Sequence, residues 1–387
     1  MAAGGACRLA SKAAASPLPS SSSPSANTRL RHLRIASSAA KHEYPAYADV
    51  ERLQSRLQRE LLSWKAAASS ATQPLHKSIQ PGNSNNNSTA STEGRTPPVT
   101  PPPSPPLPTL ISFTPKPTYT LGRRQTAPLS AAERARLEAP LAVSATSSST
   151  KETATSTMFS PAVISAPRGG LATYHGPGQV VFWPVLDLHS PLHRHFTVRD
   201  YACLLEKTTI AALARFAGVR GFTTENPGVW VRHRGEAVAP ATAGANGGED
   251  GTGQGDERKI SALGVHLRRH VTGLGVAVNF GMPVSGPEET NPWARIVACG
   301  LGDKRVTSIA AESEGRLVGL PGLGGGEDNN GDGSGAGHDA VADALADVWA
   351  EEFAARLGLA APEAAADSGI ESAVTRVLVA EVDVDVD

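Results

Sequence analysis

Acidic residues are missing from the start of this chain. No Asp or Glu precedes Glu43, while Arg8, Lys12, Arg29, Arg31, Arg34 and Lys41 stand among many Ser and Ala. A cationic, acid-free segment has the bias of a mitochondrial presequence, because import favours positive and potentially amphipathic termini. Residues 1–42 are therefore expected to stand outside the fold, and the protein to be mitochondrial. Cysteine is scarce too: Cys7, Cys203 and Cys299 are widely spaced and odd in number. Such a set makes neither a disulfide framework nor a metal knot and points to a reducing compartment. Long apolar runs are absent, none approaching the ~20 residues that span a bilayer, so membrane insertion is not expected. A formal net charge of -1 over 387 residues leaves no global basic field, which excludes nucleic-acid binding driven by overall charge.

Glycine (38) and proline (30) are plentiful, and aromatics make up only 5%. Stretches at about 66–107, 140–158, 235–258 and 322–338 are rich in Ser, Thr, Asn, Gly or Pro and cannot bury enough apolar surface to order themselves. They read as inserts, and 361–387 as a loose tail. What remains, 44–360, is the size of one ordinary domain. Near its end Asp328, Asn330, Asp332 and Gly333 match half of a calcium loop. The twelfth position is Asp339 instead of the bidentate Glu, and the glycines of 322–326 bar an entering helix, so no metal site is expected.

Periodicity supplies the elements. Val50, Leu53, Leu57, Leu61 and Leu62 predict a helix over 44–65, and 131–137 a short one. Thr197 and Asp200 stand in a capping-box relation ahead of Tyr201, Leu204, Leu205, Ile210, Leu213 and Phe216, and Gly218 stops that helix. Cys203 within it reads as core. Ala340 to Leu357 forms the last helix. Strands are predicted at 110–113, 119–121, 163–164, 180–188, 228–231, 259–265 and 276–280.

The chain is organised around residues 168–179, Arg-Gly-Gly-Leu-Ala-Thr-Tyr-His-Gly-Pro-Gly-Gln. Four glycines bring bare backbone close to a ligand, but their spacing matches neither a P-loop nor a dinucleotide motif. Farther on, Cys299-Gly300 lies between apolar Ile296, Val297 and Leu301, which suits a nucleophile on a turn. A thiol attacks as thiolate, so it needs a partner that takes its proton. Lys259, opening the apolar strand Lys-Ile-Ser-Ala-Leu-Gly, is one candidate base and His175 the other. Adjacent Arg123 and Arg124 follow a strand end and can face an anion or simply solvent.

These blocks resemble the lipoyl(octanoyl) transferase family, within the wider biotin/lipoate protein ligase-like fold. The resemblance rests on Arg168 to Gln179, on Lys259-Ile-Ser-Ala262-Leu263-Gly264 with Gly275-Val276-Ala277-Val278-Asn279, on Cys299-Gly300 with Val306-Thr307-Ser308, and on Tyr119 to Arg124. The chain departs from the family pattern at Pro167, Leu274 and Ala298. The resemblance implies an α+β fold, a single domain with a mixed β-sheet flanked by helices. It implies an acyltransferase that moves octanoyl from acyl carrier protein to Cys299 and then to a lysine of a lipoyl domain, with Lys259 as proton acceptor and no cofactor or metal. The acyl channel would be lined by Arg168, Gly169, Gly170, Leu171, Ala172, Thr173, Tyr174, His175, Ala262, Leu263, Gly264, Gly275, Val276 and Ala277, which makes His175 a pocket residue. The implied partners are octanoyl-acyl carrier protein and the lipoyl domains of 2-oxoacid dehydrogenase subunits and of glycine cleavage H protein. An ATP-dependent lipoate or biotin ligase, or an inactive scaffold that only binds lipoyl domains, would fit the same fold. The ligase would have no use for Cys299.

Overall fold

A computed structural model describes residues 28–38, 41–71, 104–144, 156–232, 257–297, 305–313, 337–362 and 374–377. In chain order the strands of its main sheet are β1 (Arg31–Ile35), β2 (Thr109–Phe113), β8 (Gln179–Val185), β9 (Gly228–Arg232), β10 (Glu257–Arg268), β11 (Val271–Asn279), β12 (Arg305–Val306) and β13 (Val374–Val377). They lie in the order β12-β10-β11-β8-β2-β1-β13, and β9 pairs with β10. β1 runs parallel to β2 and β13, and β12 parallel to β10, whereas β8 is antiparallel to both neighbours. The sheet is therefore mixed, as expected.

β8 shows why helices cover both faces. Side chains alternate along a strand, so Val180 and Phe182 join the core with α3 (Val198–Ala217) and α5 (Gly337–Leu357), while Val181, Trp183 and Val185 meet α1 (Tyr47–Ala71). A continuous apolar run is what a doubly covered strand needs. Tyr47, Val50, Leu53, Leu57 and Leu61 form the buried stripe of α1. α3 begins at the capping box of Thr197 and Asp200 and ends at Gly218, whose φ of 65° is left-handed. Ser130 and Glu133 cap α2 (Ala131–Glu138) in the same way. A smaller sheet, β6 (Ala162–Ser165), β3 (Thr118–Leu121) and β7 (Thr173–His175), carries the glycine-rich stretch beside the main one.

Four expectations are corrected. The fold reaches into residues 1–42: β1 buries Leu33 and Ile35, Leu30 just before it is fully buried, and the strand pairs on both sides. The tail is not loose throughout, since β13 adds to β1. Within the expected insert at 140–158, β4 (Leu141–Ser144) and β5 (Ser156–Phe159) pair antiparallel. Finally, β10 and β11 are longer than the sequence predicts and form a hairpin that turns at Arg269 and His270, both left-handed (φ 50° and 68°). Such two-residue turns are normally marked by Asn or Gly. Here tertiary contacts hold the turn instead: Lys65 Nζ donates to the Arg269 carbonyl (2.8 Å) and Leu188 N–H to the His270 carbonyl (2.9 Å). Most of the inserts expected at 66–107, 235–258 and 322–338 lie outside the described residues, as does the half calcium loop from Asp328 to Gly333. Among the described residues no helix is long and apolar enough to cross a membrane.

Candidate active site

The glycine-rich stretch is pinned by its own arginine. Arg168 is buried, and its guanidinium donates to the Thr120 carbonyl (2.6 Å) and hydroxyl (2.7 Å) on β3 and to the carbonyls of Gly169 (3.0 Å) and Leu171 (2.9 Å). Its donors are engaged by the protein, so it shapes the wall of the site. The Arg123 and Arg124 amides close the other side by donating to the carbonyls of Arg168 and Gly170. Gly264 on β10 faces this arginine, where a Cβ would stand 2.8 Å from Arg168 Cδ. Only a bare α-carbon lets the strand and the loop approach so closely.

Between these elements lies a narrow cavity of about 40 Å³. Arg168, Thr173 and His175 line it from the loop and β7, Ala262, Leu263 and Gly264 from β10, and Gly275, Val276 and Ala277 from β11, with Leu274, Tyr47, Val181 and Trp183 closing it. It has room for about three waters. Leu274 holds a left-handed φ of 58° in mid-strand, and its amide donates to Gln54 Oε1 of α1 at 2.6 Å. Gly275 packs its α-carbon on β8, and a Cβ there would run into the Phe182 carbonyl. Gly275→Ala is expected to destabilise the fold by about 1–3 kcal/mol, the usual cost of overpacking. A melting temperature equal to that of the parent would show that β8 and β11 can separate.

Other residues expected in the channel lie elsewhere. Gly169 is exposed, and Gly170, Leu171 and Ala172 are half-buried outside the cavity lining. Tyr174 points to the opposite face of β7, packed against Tyr119 (centroids 5.2 Å apart) and Trp293 (5.9 Å), where it borders a larger cavity of about 430 Å³. The period of two along β7 sends Thr173 and His175 one way and Tyr174 the other.

His175 opens a buried amide chain that joins the sequence blocks. The Thr307 carbonyl can only accept, so Asn279 presents Nδ2 to it (2.9 Å). Asn279 Oδ1 then accepts from Gln179 Nε2 (2.8 Å), and Gln179 Oε1 accepts from His175 Nδ1 (2.8 Å). Burial, and next the charge of Arg168, pull the imidazole down to about 3. The ring is thus neutral with its proton on Nδ1. Thr307 N–H in turn donates to the Lys259 carbonyl at 2.9 Å.

Lys259 lies near the start of β10, buried to 7% exposure, with Nζ 5.1 Å from the centre of the Trp230 ring. Val306 on β12 pairs opposite it. Cys299 lies outside the described residues; the described chain stops at Val297 and resumes at Arg305. Gln179, Asn279 and Glu206 were not singled out as site residues from the sequence. The first two sit inside the motif blocks, and Glu206 is a charge on the buried face of α3, which is the signal that could have found it.

The model for the lipoyl protein ligase A/B catalytic domain matches residues 102–317. The chain belongs to this family. As a family member it is 31% identical over 204 residues to a probable octanoyltransferase of Schizosaccharomyces pombe, covering 53% of this chain and 68% of the relative. It is 32% identical over 206 residues to the mitochondrial octanoyl-acyl-carrier-protein:protein N-octanoyltransferase LIPT2 of Danio rerio, with the same coverage of each chain. An octanoyltransferase of Rickettsia peacockii is 35% identical over 148 residues, 38% of this chain and 58% of that one. The matched span of this lipoyl protein ligase A/B member includes the glycine-rich loop, Lys259 and Cys299.

Proposed function

We propose that this protein is an octanoyltransferase that moves an octanoyl group from octanoyl-acyl carrier protein through a Cys299 thioester to a lysine of a lipoyl domain. The observation that carries this reading is the buried chain from His175 through Gln179, Asn279 and Thr307 to Lys259. It joins residues of all three sequence blocks, with His175 at its end in the cavity lining, and relatives of the chain are named octanoyltransferases.

The chemistry balances without a cofactor. Lys259 takes the Cys299 thiol proton, and the thiolate attacks the thioester carbonyl of the carrier. The bond to the pantetheine sulfur breaks, and the departing thiolate takes the proton from Lys259. In the second half the acceptor amine attacks the Cys299 thioester and yields a proton to Lys259. The Cys299 thiolate leaves and recovers that proton, so an amide and a free thiol result. Sulfur serves both halves because it attacks well and leaves well. His175, held neutral and hydrogen-bonded through Nδ1, acts as a wall of the acyl cavity. The acceptors in this reading are the lipoyl domains of 2-oxoacid dehydrogenase subunits and of glycine cleavage H protein. The cationic N-terminus supports a mitochondrial address, and a presequence would have to end before Leu30, since Leu30 and β1 belong to the core.

Intact-protein mass spectrometry tests the reading. Incubation with octanoyl-acyl carrier protein, without ATP, is expected to add one octanoyl group on Cys299 that passes on when a lipoyl domain is supplied. Transfer that needs ATP and leaves no adduct would reject it in favour of a ligase.

A further inference from the structure

We infer that Glu206, on α3, is a positioning residue for Lys259: it provides the counter-charge that orients the ammonium and sets the pH at which the lysine takes the thiol proton. The inference rests on the reading of Lys259 as the base.

Glu206 is an anomaly in its helix. It is 8% exposed on a buried face shared with Thr209 and Leu213, where an apolar side chain would pack without penalty. A buried carboxylate persists when it is hydrogen-bonded and faces a cation. Glu206 Oε1 accepts the Gly228 amide at 3.0 Å. Gly228 begins β9 in a left-handed conformation (φ 119°), and a Cβ there would stand 2.8 Å from Lys259 Cε. The missing side chain lets the lysine's methylenes cross the backbone of β9 at the point where Glu206 holds it. Glu206 therefore holds β9 at the point that the lysine side chain crosses. Burial raises the Glu206 carboxyl above its ordinary value, and the Gly228 amide and then the charge of Lys259 offset only part of that rise.

The other groups around the lysine have different duties. From β9 it meets the Trp230 ring. Beside it in the sequence, Arg258 lies 3.9 Å from Glu312, which also accepts from the Thr307 hydroxyl at 2.6 Å. Farther along the β9–β10 pair, Glu257 faces Arg232 at 4.0 Å.

Glu206→Gln separates charge from structure, because the amide keeps an oxygen for the Gly228 N–H. The rate of octanoyl transfer to Cys299 is measured against pH in the full chain by quenched intact-mass analysis. In Glu206→Gln the rising limb is expected to move to lower pH by about one unit, the smaller end of the effect of a nearby opposite charge. Its plateau should fall as the lysine becomes a weaker base. Glu206→Asp, which restores the charge, should return the limb toward the parent profile. A Glu206→Gln profile that overlays the parent, or one lowered equally at every pH with a lowered melting temperature, would overturn the inference, because a structural role alone gives those results. If the parent protein forms no adduct on Cys299, it is the octanoyltransferase reading that fails, a result distinct from either.

Discussion

Lys259→Ala is expected to slow octanoyl transfer to Cys299 by about 10²–10⁴-fold near neutral pH, the usual contribution of a positioned proton acceptor. The residual rate should climb with pH toward the ordinary thiol range near about 8.5, since the thiol must then ionise unaided. The physical case is an elimination between two candidate bases. His175 is buried, and burial together with Arg168 holds it down to about 3. A base that weak gains little from taking a thiol proton, and its Nδ1 is committed to Gln179. Lys259 keeps Nζ beside the face of the Trp230 ring. The comparison is made with His175→Ala, which should alter the acyl cavity and leave the shape of the pH profile unchanged. If Lys259→Ala retains the parent profile and His175→Ala loses it, the roles are reversed.

Removing residues 1–42 is expected to abolish stable folding, whereas removing 1–27 is not. The difference is β1. Leu30, Leu33 and Ile35 are each 3% exposed or less, and burying such side chains contributes roughly 1.5–3 kcal/mol apiece. Their combined loss approaches the ~5–15 kcal/mol that holds a typical domain together. β1 also joins β2 to β13 by parallel pairing on both edges, so its removal leaves the edge of β2 bare. His32 goes with it: the ring is fully buried, hydrogen-bonded to Ser112 Oγ at 2.8 Å, and held down to about 3, chiefly by burial. Thermal melts of the two truncations by circular dichroism decide the matter. Equal melting temperatures would mean that β1 is dispensable.

β1 also shows where sequence reading lost the fold. His32 and Leu33 sit between arginines in an acid-free, Ser- and Ala-rich context, so a short strand was hidden by the composition around it. β4 and β5 were hidden in the same way by the Ser and Thr that separate them. Elements whose ends are local were legible. The start and stop of α3 are written in Thr197, Asp200 and Gly218, because caps are interactions between residues three or four apart. The Arg269-His270 turn was not legible, since its left-handed residues are held by Lys65 and Leu188 from distant parts of the chain.

At the site, the motif blocks contain Arg168, Thr173, His175, Ala262 to Gly264 and Gly275 to Ala277, and these share one cavity between the loop, β7, β10 and β11. Tyr174 belongs to the same motif, yet the alternation of β7 directs it to the other face. Glu206 carries no motif of its own. Its meaning depends on Gly228 and Lys259, which reach it only when α3 packs beneath β9 and β10.

The sequence by itself determined the family, the apolar run that becomes the central strand, the capped helices and the residues able to carry acyl chemistry, because these are local patterns of residue type and spacing. The tertiary structure alone decided which faces meet. It pinned Arg168 to Thr120 and to its own loop, buried His175 against Gln179, and brought Glu206 to the Gly228 amide, where the Lys259 side chain crosses. Burial and partner charge set protonation, and both are properties of side chains brought together from far apart in the chain.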